Sequence, residues 1–207
     1  MIIGIPVYEK VDLLDVTAPH EILSWMSQPK ADMRIIAEEP SEIMSRDGFC
    51  FKAQYGFSDI KTLDVLWVPG GDPDALKFLM SGPRTYLDFL IRVSANARYV
   101  TSVCEGALLL AAAGLLDGYE ATTHWAFIPC LKQFPKIKVV EGYPRFVVDR
   151  NRVTGGGISS GLDAAFKLVE LLAGYEAAQA VQRTTQYYPA PPVASSLPPT
   201  SACPFTW

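Results

Sequence analysis

Two hydrophobic patterns alternate along the chain. Short apolar runs at residues 2–7 (IIGIPV) and 65–68 (VLWV) have the length of buried strands, and 33–37 (MRIIA) and 98–102 (RYVTS) read as further strands. Between them the apolar positions recur at helical spacing. A helix is predicted from Thr17 to about Trp25, with Pro19 in its first turn and Ile22, Leu23 and Met26 on one face. Further helices are predicted at 74–80, 83–96 and 105–113 (the last ended by Gly114), at 125–134, at 160–172 with Leu162, Phe166, Val169 and Leu172 as its buried stripe, and at 176–184. Residues 43–45 and 49–54, joined through Asp47 and Gly48, read as a hairpin, and 139–149 with 152–154 as strand. Strands alternating with helices predict an α/β sandwich around a mostly parallel sheet.

The 207 residues suit one domain, placed at residues 1–188, followed by a proline-rich tail at 189–207. Extended, flexible backbone is expected in the tail, although Phe205 and Trp207 favour packing of part of it. No stretch approaches the roughly 20 apolar residues of a membrane span. The start, MIIGIPVYEK, reads as strand rather than signal peptide, so a cytoplasmic protein is the default. The net charge is −4 and the 18 Lys and Arg are dispersed, which argues against nucleic acid or an anionic membrane as partner and leaves a small molecule. Cys50, Cys104, Cys130 and Cys203 make no CxxC pair and no metal-ligand spacing with His20 or His124, so neither a disulfide framework nor a metal site is expected.

Candidate chemistry lies where strands end. In parallel sheets ligands bind beyond the strands' carboxyl ends. Three stretches fall there: Leu14 and Asp15; Pro69, Gly70 and Gly71; and Cys104, Glu105 and Gly106. Cys104, between a strand and a helix and flanked at two residues' distance by Ser102 and Gly106, fits a nucleophile elbow; the alternative is a buried structural cysteine. The helix start favours the thiolate and Glu105 opposes it, and Cys104 is expected to be the most acidic and most readily alkylated of the four thiols. Gly70 and Gly71 supply a backbone that can approach a reacting atom, for an oxyanion hole or as plain loop glycines. Asp15 is a proton carrier or a cap for the Thr17 region, and His124 a base or a packing residue beside Trp125. Gly155, Gly156 and Gly157 form an incomplete dinucleotide fingerprint, with Ser160 where its third glycine belongs, so no nucleotide cofactor is expected.

The stretches LDVTAPH (14–20), VPGG (68–71), VCEG (103–106), ATTHW (121–125) and TGGGI (154–158) resemble, in kind and order, those of the DJ-1/PfpI superfamily, and with QYYPAPP (186–192) they are most similar to its isonitrile hydratases. The resemblance covers residues 2–193. It implies a flavodoxin-like, glutamine-amidotransferase-like three-layer sandwich, usually a homodimer, working without metal or organic cofactor. It implies Cys104 as nucleophile, Asp15 as its acid, and the N–H groups of Gly71 and Glu105 as oxyanion-hole donors. Gly70, the Glu105 side chain, His124, Trp125 and Ile158 then line the substrate pocket. The implied reaction adds water to R–N≡C to give an N-substituted formamide; another cysteine enzyme of the superfamily (glyoxalase-like or amidase) and a redox or ligand sensor are the alternatives. Two departures stand out. Glu105 stands where the hydratases carry a small residue such as Thr, and its side chain is expected to face the site. The stretch 201–207 replaces a longer helical C-terminus, and peptidase-like members place His, not Glu, after the cysteine.

Overall fold

The computed structural model describes residues 1–204; the packing expected of Phe205 and Trp207 falls outside the described residues. Its centre is a seven-stranded sheet built from β1 (Ile2–Pro6), β2 (Asp32–Ala37), β5 (Tyr55–Gly56), β6 (Val65–Val68), β7 (Tyr99–Ser102), β10 (Phe146–Asp149) and β11 (Arg152–Gly155). The spatial order is β10-β11-β7-β6-β1-β2-β5, and only the β10–β11 pair is antiparallel. Val65, Leu66, Trp67 and Val68 are all fully buried, which is why this run is apolar at every position rather than at every second one. Helices cover the sheet. α1 (Leu13–Ser24) packs on α6 (Ser160–Ala173), which packs on α7 (Tyr175–Thr185). The group α2 (Pro73–Ser81), α3 (Thr85–Ser94) and α4 (Gly106–Ala112) packs together and onto β6. The expected flavodoxin-like layering is therefore present.

The chain leaves β1 toward β2 on one side, and β6, β7 and β11 follow on the other. The order thus reverses between β1 and β6. A crevice forms at such a reversal, beyond the carboxyl ends of the strands. The segments after β1, β6, β7 and β11 carry Asp15, Gly70–Gly71, Cys104 and Gly156–Ile158 to that one edge.

Several boundaries differ from the sequence expectation. α1 starts at Leu13, not near Thr17, so Asp15 lies in its first turn and Pro19 inside it. The side chain of Asp12, at the cap position, makes no cap bond and instead pairs with Arg46 at 3.2 Å. The Thr17 hydroxyl donates back to the Leu13 carbonyl (3.0 Å) within the helix. The hairpin is present as β3 (Ser41–Met44) and β4 (Cys50–Ala53), with Gly48 at φ 84° in the turn. Residues 125–134 form a 3₁₀ turn, Trp125–Phe127, and a short α5 (Ile128–Leu131). The strand expected at 139–149 is two pieces, β9 (Lys138–Val139), paired with β8 (Glu120–Ala121), and β10. On α6 the fully buried residues are Ala164, Ala165, Leu168 and Val169, whereas Leu162 and Phe166 are half-buried and Phe166 stacks on Tyr187 (5.0 Å). The small alanines let α6 come close to its neighbours, rotating the buried face away from the larger side chains.

The expectation that the cysteines form no disulfide is overturned. Cys130 of α5 and Cys203 are joined, with Cα atoms 4.7 Å apart across 73 residues of sequence. Sequence spacing carries no sign of such a bond, because it exists only once the tail has folded back on α5.

Candidate active site

Cys104 occupies a strained elbow. Its φ is 50°, in the left-handed region that a non-glycine residue rarely adopts. The surroundings hold it there: its N–H donates to the Gly156 carbonyl (2.8 Å), its carbonyl accepts from the Thr123 hydroxyl (2.7 Å), and the Val103 N–H donates to Val68 (3.1 Å). Gly106 follows because a β-carbon there would run into the Val68 carbonyl oxygen. The Ile158 N–H donates to Cys104 Sγ at 2.8 Å.

Asp15 is fully buried in the first turn of α1. Its Oδ2 accepts from the Gly70 N–H (2.8 Å), its backbone carbonyl accepts from the Trp67 indole (3.0 Å), and its Oδ1 has no partner. Burial pushes its carboxyl well above the ordinary carboxylate range, and Glu105 and Asp12 push the same way; the Gly70 N–H and the nearby Cys104 thiol act against them. The balance at Asp15 therefore favours the protonated carboxyl over the carboxylate, relative to an exposed aspartate. Burial also raises the Cys104 thiol, reinforced by Asp15, Glu105 and Asp12 and opposed by the Ile158 N–H. The shift of the Cys104 thiol thus runs opposite to the acidic thiol expected from the sequence. A helix start favours negative charge, but here the sulfur has no exposed surface and three carboxyl groups lie nearby. Cys50 is exposed, and Cys130 and Cys203 are bonded to each other.

The Glu105 side chain faces inward, as expected, and is 5% exposed. Its Oε2 has no hydrogen-bond partner and lies where a β-carbon on Gly70 would be. Burial raises its carboxyl to about 8, while its own N–H and that of Gly71 act to lower it. The two N–H groups expected to form an oxyanion hole are thus near enough to the Glu105 carboxyl to favour its charged form. The Gly70 N–H is taken by Asp15.

His124 Nδ1 accepts from the Ala126 N–H (3.3 Å), which places the ring proton on Nε2, and burial lowers its pKa. The ring is neutral, so its approach to Glu105 (3.9 Å) is not an ion pair. Gly157 is required beside it, because a β-carbon would strike the ring. The glycine run therefore makes room for the elbow and for His124. A pocket of about 350 Å³ opens above, lined by Leu14, His124, Trp125, Ile158 and Leu197 among others. Two of its lining residues also hold Cys104, Thr123 through the backbone carbonyl and Ile158 through Sγ, so the pocket adjoins the elbow.

The structure thus gathers Cys104, Asp15, Gly70, Gly71, Glu105, His124, Trp125 and Ile158 at one edge. Asp12 and Arg46 escaped sequence reasoning: the hairpin brings Arg46 to a buried Asp12, and their separation of 34 positions leaves no local signal. Leu197, from the tail, was missed too. Among the described residues one group has donors close enough for a metal: Asp12, Cys104 and Glu105, with ligand atoms within 4.8 Å. A cation there would have to displace Arg46 from Asp12 and protons from the other two.

A strained cysteine elbow on a flavodoxin-like sheet, with a buried carboxyl against the thiol, defines the class, and residues 2–171 match the model of the DJ-1/PfpI family, to which the chain belongs. The isonitrile hydratase of Pseudomonas putida is 41% identical over 199 residues, covering 96% of this chain and 84% of that enzyme. The crystal structure of a ThiJ/PfpI family protein from Pseudomonas syringae superposes with a TM-score of 0.84 at 34% identity, over 93% of this chain and 77% of that one. The HTH-type transcriptional regulator GbdR of Pseudomonas aeruginosa is 28% identical over 70% of this chain, which spans 38% of the regulator. No helix among the described residues is long and apolar enough to cross a membrane.

Proposed function

We propose that this chain is an isonitrile hydratase, with Cys104 as nucleophile and Asp15 as proton carrier. The observation that carries the reading is the buried pair of carboxyl and thiol beside a pocket that mixes apolar side chains (Leu14, Trp125, Ile158, Leu197) with polar ones, and the 41% identity to the Pseudomonas putida enzyme supports it. The terminal carbon of an isonitrile is both basic and electrophilic. Asp15 gives its proton to that carbon as Cys104 Sγ bonds to it, and Asp15 takes up the thiol proton in return. The product is a thioimidate, R–N=CH–S. Water then adds to the same carbon, one of its protons passes to nitrogen, and the C–S bond breaks. Sulfur leaves with the remaining proton and the formamide R–NH–CHO is released.

The N–H groups of Gly71 and Glu105 act on the nearby Glu105 carboxyl in the resting protein, and on this route they serve the tetrahedral oxygen in its place. The family resemblance also supports a homodimer, tested by light scattering. For the activity, pure protein is incubated with cyclohexyl isocyanide and N-cyclohexylformamide is followed by NMR. Turnover is expected in the wild type and absent from folded Cys104→Ala and Asp15→Asn proteins. No formamide from the wild type overturns the activity, and a near-normal rate in Asp15→Asn returns the proton role to His124 or to water.

A further inference from the structure

Between Tyr188 and Pro204 the chain has no helix or strand, yet it is attached twice to the segment that walls the pocket. Cys203 is bonded to fully buried Cys130 in α5, and the Thr200 hydroxyl donates to the Trp125 carbonyl at 3.1 Å. Three residues before Thr200, Leu197 enters the lining of the pocket together with Leu14, His124, Trp125 and Ile158. Leu197 remains 49% exposed, so an apolar side chain in the cavity wall is left partly uncovered. Holding an irregular segment in one place costs about 1–2 kcal/mol of backbone entropy per residue, and one hydrogen bond does not offset that for a whole segment. The cross-link supplies the missing constraint by removing most alternative paths of the tail.

We infer that the tail is a disulfide-latched wall of the ligand pocket and that Leu197 is its selectivity residue, limiting the bulk of the apolar group admitted above Cys104. The identity of the ligand as an isonitrile rests on the function proposed above; the wall and its latch do not. Opening the latch needs a two-electron reductant. A water-soluble phosphine serves: it cleaves the S–S bond, water supplies the two thiol protons, and water's oxygen ends in the phosphine oxide.

The test uses the full chain as wild type, Leu197→Ala, Cys203→Ser and phosphine-reduced wild type, each shown to be folded by its thermal transition. Two ratios are measured. One is kcat/KM for 1-adamantyl over ethyl isocyanide. The other is the rate of Cys104 alkylation by iodoacetanilide over iodoacetamide, mapped by mass spectrometry so that Cys50 is counted separately. Leu197→Ala is expected to raise both ratios roughly tenfold, the scale of a change of a few carbons in an apolar pocket. Cys203→Ser and reduction are expected to raise them in the same direction. Absence of isonitrile turnover overturns the functional reading alone, because the alkylation ratio still reports the wall. Unchanged alkylation ratios in Leu197→Ala overturn the wall. A response in Leu197→Ala with none in Cys203→Ser or the reduced protein overturns the latch.

Discussion

Glu105→Gln should stabilise the protein by an amount that grows with pH. The buried carboxyl titrates at about 8 instead of the ordinary 4.5, so between those values the folded chain holds a proton that the unfolded chain has released. Stability falls as pH rises wherever the folded state binds more protons. The slope is about 1.4 kcal/mol per pH unit for one group. Over the 2.5 pH units from 4.5 to 7 the penalty reaches about 3 kcal/mol, and above pH 8 it levels off near 5 kcal/mol. Glutamine keeps the shape and cannot ionise. Urea unfolding of both proteins at half-unit steps from pH 5 to 8.5 gives the difference directly, and the other titrating groups largely cancel between them. Any fixed cost of placing an amide beside Gly70 shifts the whole curve without changing its slope. A difference that stays flat across this range would refute the buried, proton-holding Glu105.

Brief iodoacetamide treatment at pH 7 should label Cys50 before Cys104, by roughly tenfold or more in rate, since burial and three carboxyls disfavour the Cys104 thiolate; equal labelling would contradict the sealed site. Gly106→Ala should cost about 3 kcal/mol in urea unfolding, because its β-carbon meets the Val68 carbonyl; a loss under about 0.5 kcal/mol would mean that the elbow yields easily. On the proposed route Asp15 acts in its protonated form, and its pKa is raised. The kcat/KM for cyclohexyl isocyanide should therefore hold through neutral pH and fall on the alkaline side, and a rate that climbs with thiolate formation would exclude proton delivery by Asp15.

The residues of the site were legible because each is announced locally: an apolar run, then a small residue or an acid, then a helix. The convergence of Asp15, Gly70, Gly71 and Cys104 follows from parallel strands, whose carboxyl ends must share one edge. Three features were not legible. The Arg46–Asp12 pair and the Cys130–Cys203 bond join residues that only the completed fold brings together. The protonation of the site escaped for a different reason. A helix start beside a cysteine is visible in sequence, whereas burial of its sulfur depends on Ile158 and Asp15, from two other segments, packing against it together with the neighbouring Glu105. For a site of this kind the local charge argument gives the wrong sign, because desolvation acts on the charged form and its size is fixed by packing.

That reversal bears on why such a site suits an isonitrile. A thiolate-first attack places negative charge on the substrate carbon within a cavity that already disfavours negative charge on Asp15, Cys104 and Glu105. Proton transfer from Asp15 in step with sulfur attack avoids that build-up, since the proton that leaves the thiol replaces the one given to carbon and no net charge appears. The arrangement needs an acid that stays protonated at neutral pH and touches the thiol. On the proposed route Asp15 is suited to that role: burial favours its protonated form, Oδ2 is held by the Gly70 N–H, and Oδ1 is left without a partner. On the proposed route, the packing that disfavours the Cys104 thiolate also suits the pair to adding S and H to a single carbon. An inert thiol toward iodoacetamide and an active one toward isonitrile are, on this geometry, two consequences of one buried pair.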